Sequence, residues 1–128
     1  MRILLDTHAF LWAVMGSERL SARAREMMTD PANDLLLSAA SAYEIAVKAA
    51  KGHLQLPEEP ATYIRTRVAT LGLRELAVTV EQVAAAAALP PIHADPWDRL
   101  LVAQARLEEI PILTADRMIR RYEVETIW

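Results

Sequence analysis

Short apolar runs, each a handful of residues long, recur along the chain with helical patterns between them. Arg2-Ile3-Leu4-Leu5 stops at Asp6, and Leu35-Leu36-Leu37-Ser38, the weaker Leu73 to Val78, Ile110-Pro111-Ile112-Leu113-Thr114 and Val124 to Trp128 follow in turn. Runs so short and so apolar read as buried strands. Buried strands that alternate with helices form a parallel sheet covered on both faces. Right-handed crossovers then place helices on either side, and ligands bind outside the carboxyl ends of the strands.

The stretches between the runs carry helix signals. Thr7 to Met15 is apolar nearly all round, which predicts a largely buried helix ended by Gly16-Ser17. Ser21 reads as the N-cap of a helix running to Met28. Ser41-Ala42-Tyr43-Glu44 has the form of a capping box opening a helix through Ala50, with Gly52 placed to end it. Ala61 to Leu71 is helical up to Gly72, and Thr79-Val80-Glu81-Gln82 is a second capping box leading into the alanine-rich Val83 to Leu89. Small side chains there suit close helix packing, with a dimer face as the alternative. After the break at Pro90-Pro91, Asp95-Pro96-Trp97-Asp98 starts another helix with proline at its first position, and Asp116 to Arg121 reads as a short final helix. The expectation is an α/β chain forming one domain over residues 1–128, with a mostly parallel sheet of four to five short strands.

Composition narrows the function classes. With 53% apolar residues the chain is not disordered, and without cysteine it has neither disulfides nor a thiolate metal site. No apolar run approaches the roughly 18 residues that span a bilayer. Arg2 is followed by only three apolar residues before Asp6, so no signal peptide is visible and the expected location is cytoplasmic. A net charge of −3 argues against binding nucleic acid over the whole surface and leaves room for a local basic patch.

Of the 17 acidic residues, four share one place in the pattern: Asp6, Glu44, Asp98 and Asp116 lie just beyond a buried strand or in the first turn of a helix. Each has an ordinary explanation. Asp6 and Asp116 suit helix N-caps, worth about 1 kcal/mol apiece. Glu44 completes its capping box, and Asp98 favours the positive end of its helix. Together they ask for more, because serine and threonine cap without charge. Carboxylates gathered on one rim repel, by about 4 kcal/mol for two charges 4 Å apart at an effective dielectric near 20. Such a cluster holds only if some acids are protonated or a cation sits among them. Oxygen ligands without cysteine or paired histidine point to Mg²⁺ or Mn²⁺, and phosphodiester hydrolysis is the reaction that most needs an ion so held.

These segments resemble the PIN-domain ribonucleases, and among them the VapC-type toxins of bacterial type II toxin–antitoxin pairs. Leu4-Leu5-Asp6-Thr7-His8-Ala9 is similar to that family's opening strand and first acid, and Ser38 to Lys48 to its second-acid helix. Asp95-Pro96-Trp97-Asp98-Arg99-Leu100-Leu101-Val102-Ala103-Gln104-Ala105 is similar to the third-acid segment, with Asp98 as the acid, and Leu113-Thr114-Ala115-Asp116 to the fourth. The resemblance implies a PIN-like α/β/α sandwich, Mg²⁺- or Mn²⁺-dependent cleavage of RNA, a small antitoxin as partner, and homodimers. One departure is His8, where many relatives carry asparagine. It reads as a contact to the site or substrate, or as a buried or supporting histidine.

Asp6 and Asp98 are then the main metal ligands, with Glu44 and Asp116 completing the site directly or through water. Thr7 and Thr114 are candidates to orient ligands through their hydroxyls. Lys48, Arg99 and Arg117 are candidate RNA contacts or solvated cations, and Arg120-Arg121 plain surface. Asp95 reads as an N-cap with a minor claim on the site, and Trp12, Trp97 and Trp128 as core or interface before base stacking. Two rivals remain: a catalytically silent PIN-like module that only binds its partner, and a receiver- or phosphatase-type phosphotransfer domain. The latter wants a second aspartate where His8 stands, or an acidic pair and a late lysine that are not evident.

Overall fold

The computed structural model describes residues 1–128. Five strands, β1 (Arg2–Leu5), β2 (Asp34–Ser38), β3 (Arg74–Leu76), β4 (Ile112–Leu113) and β5 (Thr126–Ile127), pair in the order β3-β2-β1-β4-β5, all parallel. Six helices connect or follow them: α1 (Thr7–Met15), α2 (Ala22–Thr29), α3 (Ala39–Ala50), α4 (Pro60–Thr70), α5 (Val80–Ala87) and α6 (Pro96–Glu108). The expected α/β architecture and strand number are borne out. None of these helices is long and apolar enough to cross a membrane.

Register explains why the strands are apolar throughout. Leu4 pairs with Leu36 and Ile112, and all three enter one hydrophobic cluster with Leu101, Val102 and Ala105 of α6. Leu5 pairs with Leu37 and Leu113, which enter the other cluster with Phe10, Ala24, Ile45, Tyr63 and Val68. Because side chains alternate across a strand, both faces of β1 need apolar residues, and Ile3, Leu4 and Leu5 are fully buried. The central strand therefore ends abruptly at Asp6, where its chain passes onto the carboxyl rim.

Several local expectations hold. Ser21 caps α2 through Ala24, Thr79 and Gln82 form the reciprocal capping box of α5, and Asp95 caps α6 ahead of Pro96. Three do not. The helix bearing Glu44 starts at Ala39, capped by Ser38, whose hydroxyl accepts the Ala40 N–H at 3.0 Å. Ser41 and Glu44 thus lie inside the helix, both buried, and form no capping box. The segment from Asp116 is a turn followed by a single 3₁₀ turn, Ile119–Arg121, because the Asp116 carboxylate takes the Met118 N–H at 2.7 Å and tightens the chain. Finally, α1 is only partly buried: Thr7, Ala9 and Phe10 are covered, Leu11 to Val14 are half-buried, and Met15 is 65% exposed. Its outer side carries the half-buried Trp12, edge-on to Trp128 with ring centroids 5.7 Å apart.

Candidate metal centre

The carboxyl rim of the sheet collects the acids. Asp6 follows β1 and is at once an N-cap and a rim carboxylate: Oδ1 accepts the Ala9 N–H at 2.6 Å, and Oδ2 accepts the Thr114 hydroxyl. Thr114, fully buried after β4, also accepts the Asp116 N–H at 2.9 Å. A single threonine therefore ties the first acid to the fourth across two neighbouring strands. Thr7 plays a similar part for the second acid. Its hydroxyl donates to Glu44 Oε1 at 2.7 Å and lies 3.0 Å from the Ser41 hydroxyl.

Asp98 lies in the first turn of α6, where its own N–H and that of Trp97 are held by Asp95 Oδ1. Beside it stands a residue that sequence reasoning missed. His93 Nε2 is 3.1 Å from Asp98 Oδ2 and 3.1 Å from Asp116 Oδ2. The side-chain donor atoms of His93, Asp98 and Asp116 all lie within 4.8 Å of one another, so that these three offer a ready ligand cluster. Neither Asp98 oxygen accepts a protein hydrogen bond: Oδ2 has only its 3.1 Å approach to His93, whose hydrogen-bond geometry is to Asp116.

Electrostatics follow from this crowding. Burial, and then the charges of Asp95, Glu44 and Asp116, push the Asp98 carboxyl up to about 7, against the opposing pull of His93. Burial also raises Asp6, outweighing the hydrogen bonds from Thr114 and Ala9 that favour its charged form. Asp116 goes the other way: burial opposes its charge, but the His93 and Met118 hydrogen bonds hold its carboxyl below the usual range. Burial likewise disfavours the Lys48 ammonium, yet its hydrogen bond to Glu44 and the surrounding acids raise it overall.

A stability prediction follows from the signs. A carboxyl whose folded-state pKa is raised contributes stability that is complete below its unfolded value and is lost as pH rises through the folded one. For Asp98 that window runs from the ordinary aspartate value of 3.8 to about 7, and Asp6 acts in the same direction. Asp116 loses its contribution only at acid pH and Lys48 only above its ordinary range, so neither opposes the trend near neutrality. Metal-free protein is expected to melt several degrees higher at pH 6 than at pH 8 in EDTA. Calorimetry showing the reverse slope would remove the carboxylate crowding.

The cations are less free than their positions suggest. Lys48 Nζ is 2.5 Å from Glu44 Oε2 and offsets that buried acid. Arg99 donates to the carbonyls of Ala86, Leu89 and Pro90 at 2.8–3.0 Å, closing the end of α5 and the loop after it, so it is a structural clamp and not a free rim cation. Arg117 stays exposed beside Asp116, and Arg120 and Arg121 are surface, as expected. His8 is exposed, not buried. Its ring packs on Trp12 with centroids 5.6 Å apart, and its charge bears on Asp6. Half-buried Trp97 meets Tyr43, 65% exposed on α3, with centroids 6.3 Å apart.

The PIN domain family model matches residues 3–125, nearly the whole chain and all four acids. The chain belongs to the PIN-domain family. Over 64 residues it is 42% identical to Ribonuclease VapC16 of Mycobacterium tuberculosis, a match covering 47% of this chain and 45% of that protein. The aligned stretch thus spans less than half of that relative. The fold is that of VapBC2 from Rickettsia felis, solved bound to a promoter DNA fragment, at a TM-score of 0.75, 13% identity and coverage of 100% and 99% of the two chains. VapC20 of Mycobacterium tuberculosis, a toxin that cleaves the sarcin-ricin loop, matches at 0.66 with 16% identity over 95% of each chain. Nucleases of the PIN family are metal-dependent, and the donor set here fits a metal. The set is built of hard carboxylate oxygens, and burial and neighbouring carboxylates push its most crowded member, Asp98, up to about 7, while neither oxygen of that residue accepts a protein hydrogen bond.

Proposed function

We propose that this PIN domain is an Mg²⁺- or Mn²⁺-dependent endoribonuclease, acting as the toxin of a cytoplasmic toxin–antitoxin pair. The observation that carries the reading is the convergence of four acids on one rim with Asp98 pushed up to about 7. A site that strained is relieved by a divalent cation as well as by a proton. Asp98 and Asp6 would be the principal ligands, with Glu44 and Asp116 holding the ion directly or through water. A divalent ion bound there supplies charge neutralisation at the phosphate and acidification of water.

The chain's own residues do the rest. Thr114 and Thr7 fix the carboxylates of Asp6 and Glu44, so that little reorganisation is needed when substrate arrives. Lys48 offsets Glu44 and keeps the summed negative charge from repelling a phosphodiester. Exposed Arg117, with Tyr43 and Trp97 near the acids of α3 and α6, offers a cation and aromatic faces to a single strand. The names of the relatives supply the biological half of the reading: a ribonuclease, a toxin that cleaves the sarcin-ricin loop, and a toxin–antitoxin complex. A small antitoxin and a second copy of the chain are the proposed protein partners.

The test is incubation of purified protein with defined RNAs. Cleavage is expected with Mg²⁺ or Mn²⁺ and none with EDTA, and Mg²⁺ should raise the melting temperature more at pH 8 than at pH 6, because the ion competes with the Asp98 proton. Intact RNA in every metal arm, with antitoxin still bound, would establish the silent binding module instead.

A further inference from the structure

His93 comes from the loop between α5 and α6, and its ring is fixed from three sides. Its backbone N–H donates to the Tyr122 hydroxyl at 2.8 Å, which anchors the residue to the far end of the chain. On the ring, Nδ1 accepts the Asp95 N–H at 3.2 Å. An atom that accepts a hydrogen bond carries no proton, so in the neutral ring the proton sits on Nε2. Nε2 is the atom that lies 3.1 Å from both Asp98 Oδ2 and Asp116 Oδ2. Of the two contacts, the one to Asp116 has hydrogen-bond geometry, and Asp98 lies at the same distance off its line.

A metal-ligating histidine has the opposite arrangement: the ligating nitrogen is bare and the other donates its N–H to a carbonyl or carboxylate. Here the second nitrogen faces a donor. Moving the proton to Nδ1 to leave a bare Nε2 would set an Nδ1–H against the Asp95 N–H and leave both unpaired. We infer that His93 is a positioning residue, not a ligand: a neutral Nε2–H donor that orients the Asp116 carboxylate and packs against that of Asp98. A neutral donor suits that task. Lysine or arginine in its place would hold the same two acids but compete with the cation through charge. Asp116 takes the Met118 N–H on Oδ1 and the His93 N–H on Oδ2, and each oxygen keeps a further lone pair, as the two oxygens of Asp6 do. The inference rests on the metal-centre reading above.

Two measurements test it. Nitrogen-15 shifts of the His93 ring should show an Nε2–H, bare-Nδ1 imidazole in metal-free protein and the same tautomer after saturation with Mg²⁺. Loss of the Nε2 proton on adding Mg²⁺ overturns the assignment. Titration calorimetry should show Mg²⁺ bound about 10-fold or more weakly by His93→Leu, and within about 3-fold of wild type by His93→Gln, whose amide donates from the place of Nε2. Circular dichroism on both variants confirms that the fold is retained, and the wild-type tautomer needs no variant. Equal Mg²⁺ affinity in wild type and His93→Leu sinks the role of His93 alone. A wild-type protein that takes up no Mg²⁺ overturns the metal centre itself, and with it the role.

Discussion

Asp98→Asn is expected to lower metal-dependent RNA cleavage by roughly 1,000-fold while making the metal-free protein more stable at pH 8. The two effects have opposite signs because one carboxylate serves opposed ends. Its charge is needed to hold a cation, and losing several kcal/mol of charge stabilisation in the transition state corresponds to about three powers of ten in rate. The same charge is unwelcome without the cation. It is half-buried, feels the charges of Asp95, Glu44 and Asp116, and is pushed up to about 7, so at pH 8 the folded state carries an ionised group that the unfolded chain solvates more easily. Asparagine keeps the shape beside His93 and cannot ionise. A stabilised, inactive variant rules out unfolding as the cause of inactivity. Asp6→Asn makes the useful contrast. It should be similarly inactive without the gain, since one amide oxygen cannot serve both the Ala9 N–H and the Thr114 hydroxyl. Cleavage by Asp98→Asn at the wild-type rate would dismiss the carboxylate centre, whatever its melting temperature.

How far the site was legible depends on whether local pattern or tertiary contact decides each residue. Asp6 was visible because a strand whose last three residues, Ile3 to Leu5, are apolar and buried on both faces must deliver the next residue to the rim. Asp95 and Asp98 were visible because a proline fixes where α6 begins. Ser38 and Ser41 were not separable in this way: both precede an apolar helix, and β2 runs into α3 with no loop to mark the join. Burial decides it. The Ser41 hydroxyl is held by Thr7, 34 residues away, while Ser38 is left to cap. Arg99 misled through adjacency. Successive residues in a helix point about 100° apart, so the neighbour of a rim acid need not face the rim, and this one faces the end of α5. His93 lies in an aperiodic, proline-flanked loop, and its partners Asp116 and Tyr122 are 23 and 29 residues distant. A histidine two residues before an N-cap aspartate, and five before a rim acid, was the available signal.

Gln104→Leu should show the reverse profile, a loss of about 2–4 kcal/mol of stability with chemistry little changed once the protein is folded. Gln104 is fully buried on α6. Its Oε1 accepts the Ser38 hydroxyl at 2.5 Å, and its Nε2 donates to Ala77 O at 3.1 Å and Gln82 Oε1 at 3.0 Å. One side chain thereby joins the end of β2, the segment after β3 and the first turn of α5. Leucine fills nearly the same volume but pairs with none of these groups, and a buried polar group stripped of its partner costs about 1–3 kcal/mol. Not all of that is lost, because Gln82 Oε1 keeps the Thr79 N–H and Ser38 Oγ keeps the Ala40 N–H. The melting temperature should fall by roughly 10 °C, with the urea midpoint lower at unchanged slope. A drop under about 2 °C would mean that apolar packing alone sets the crossover from β2 to α5. The acids of the rim touch none of these atoms, so kcat measured well below the transition should stay within a few-fold of wild type. Ser38 is where the two systems meet: its hydroxyl proton serves the core while its oxygen starts the helix that carries Glu44. Any loss of activity in Gln104→Leu should therefore follow the second acid, and appear as weakened Mg²⁺ binding before it appears in the rate at saturating metal.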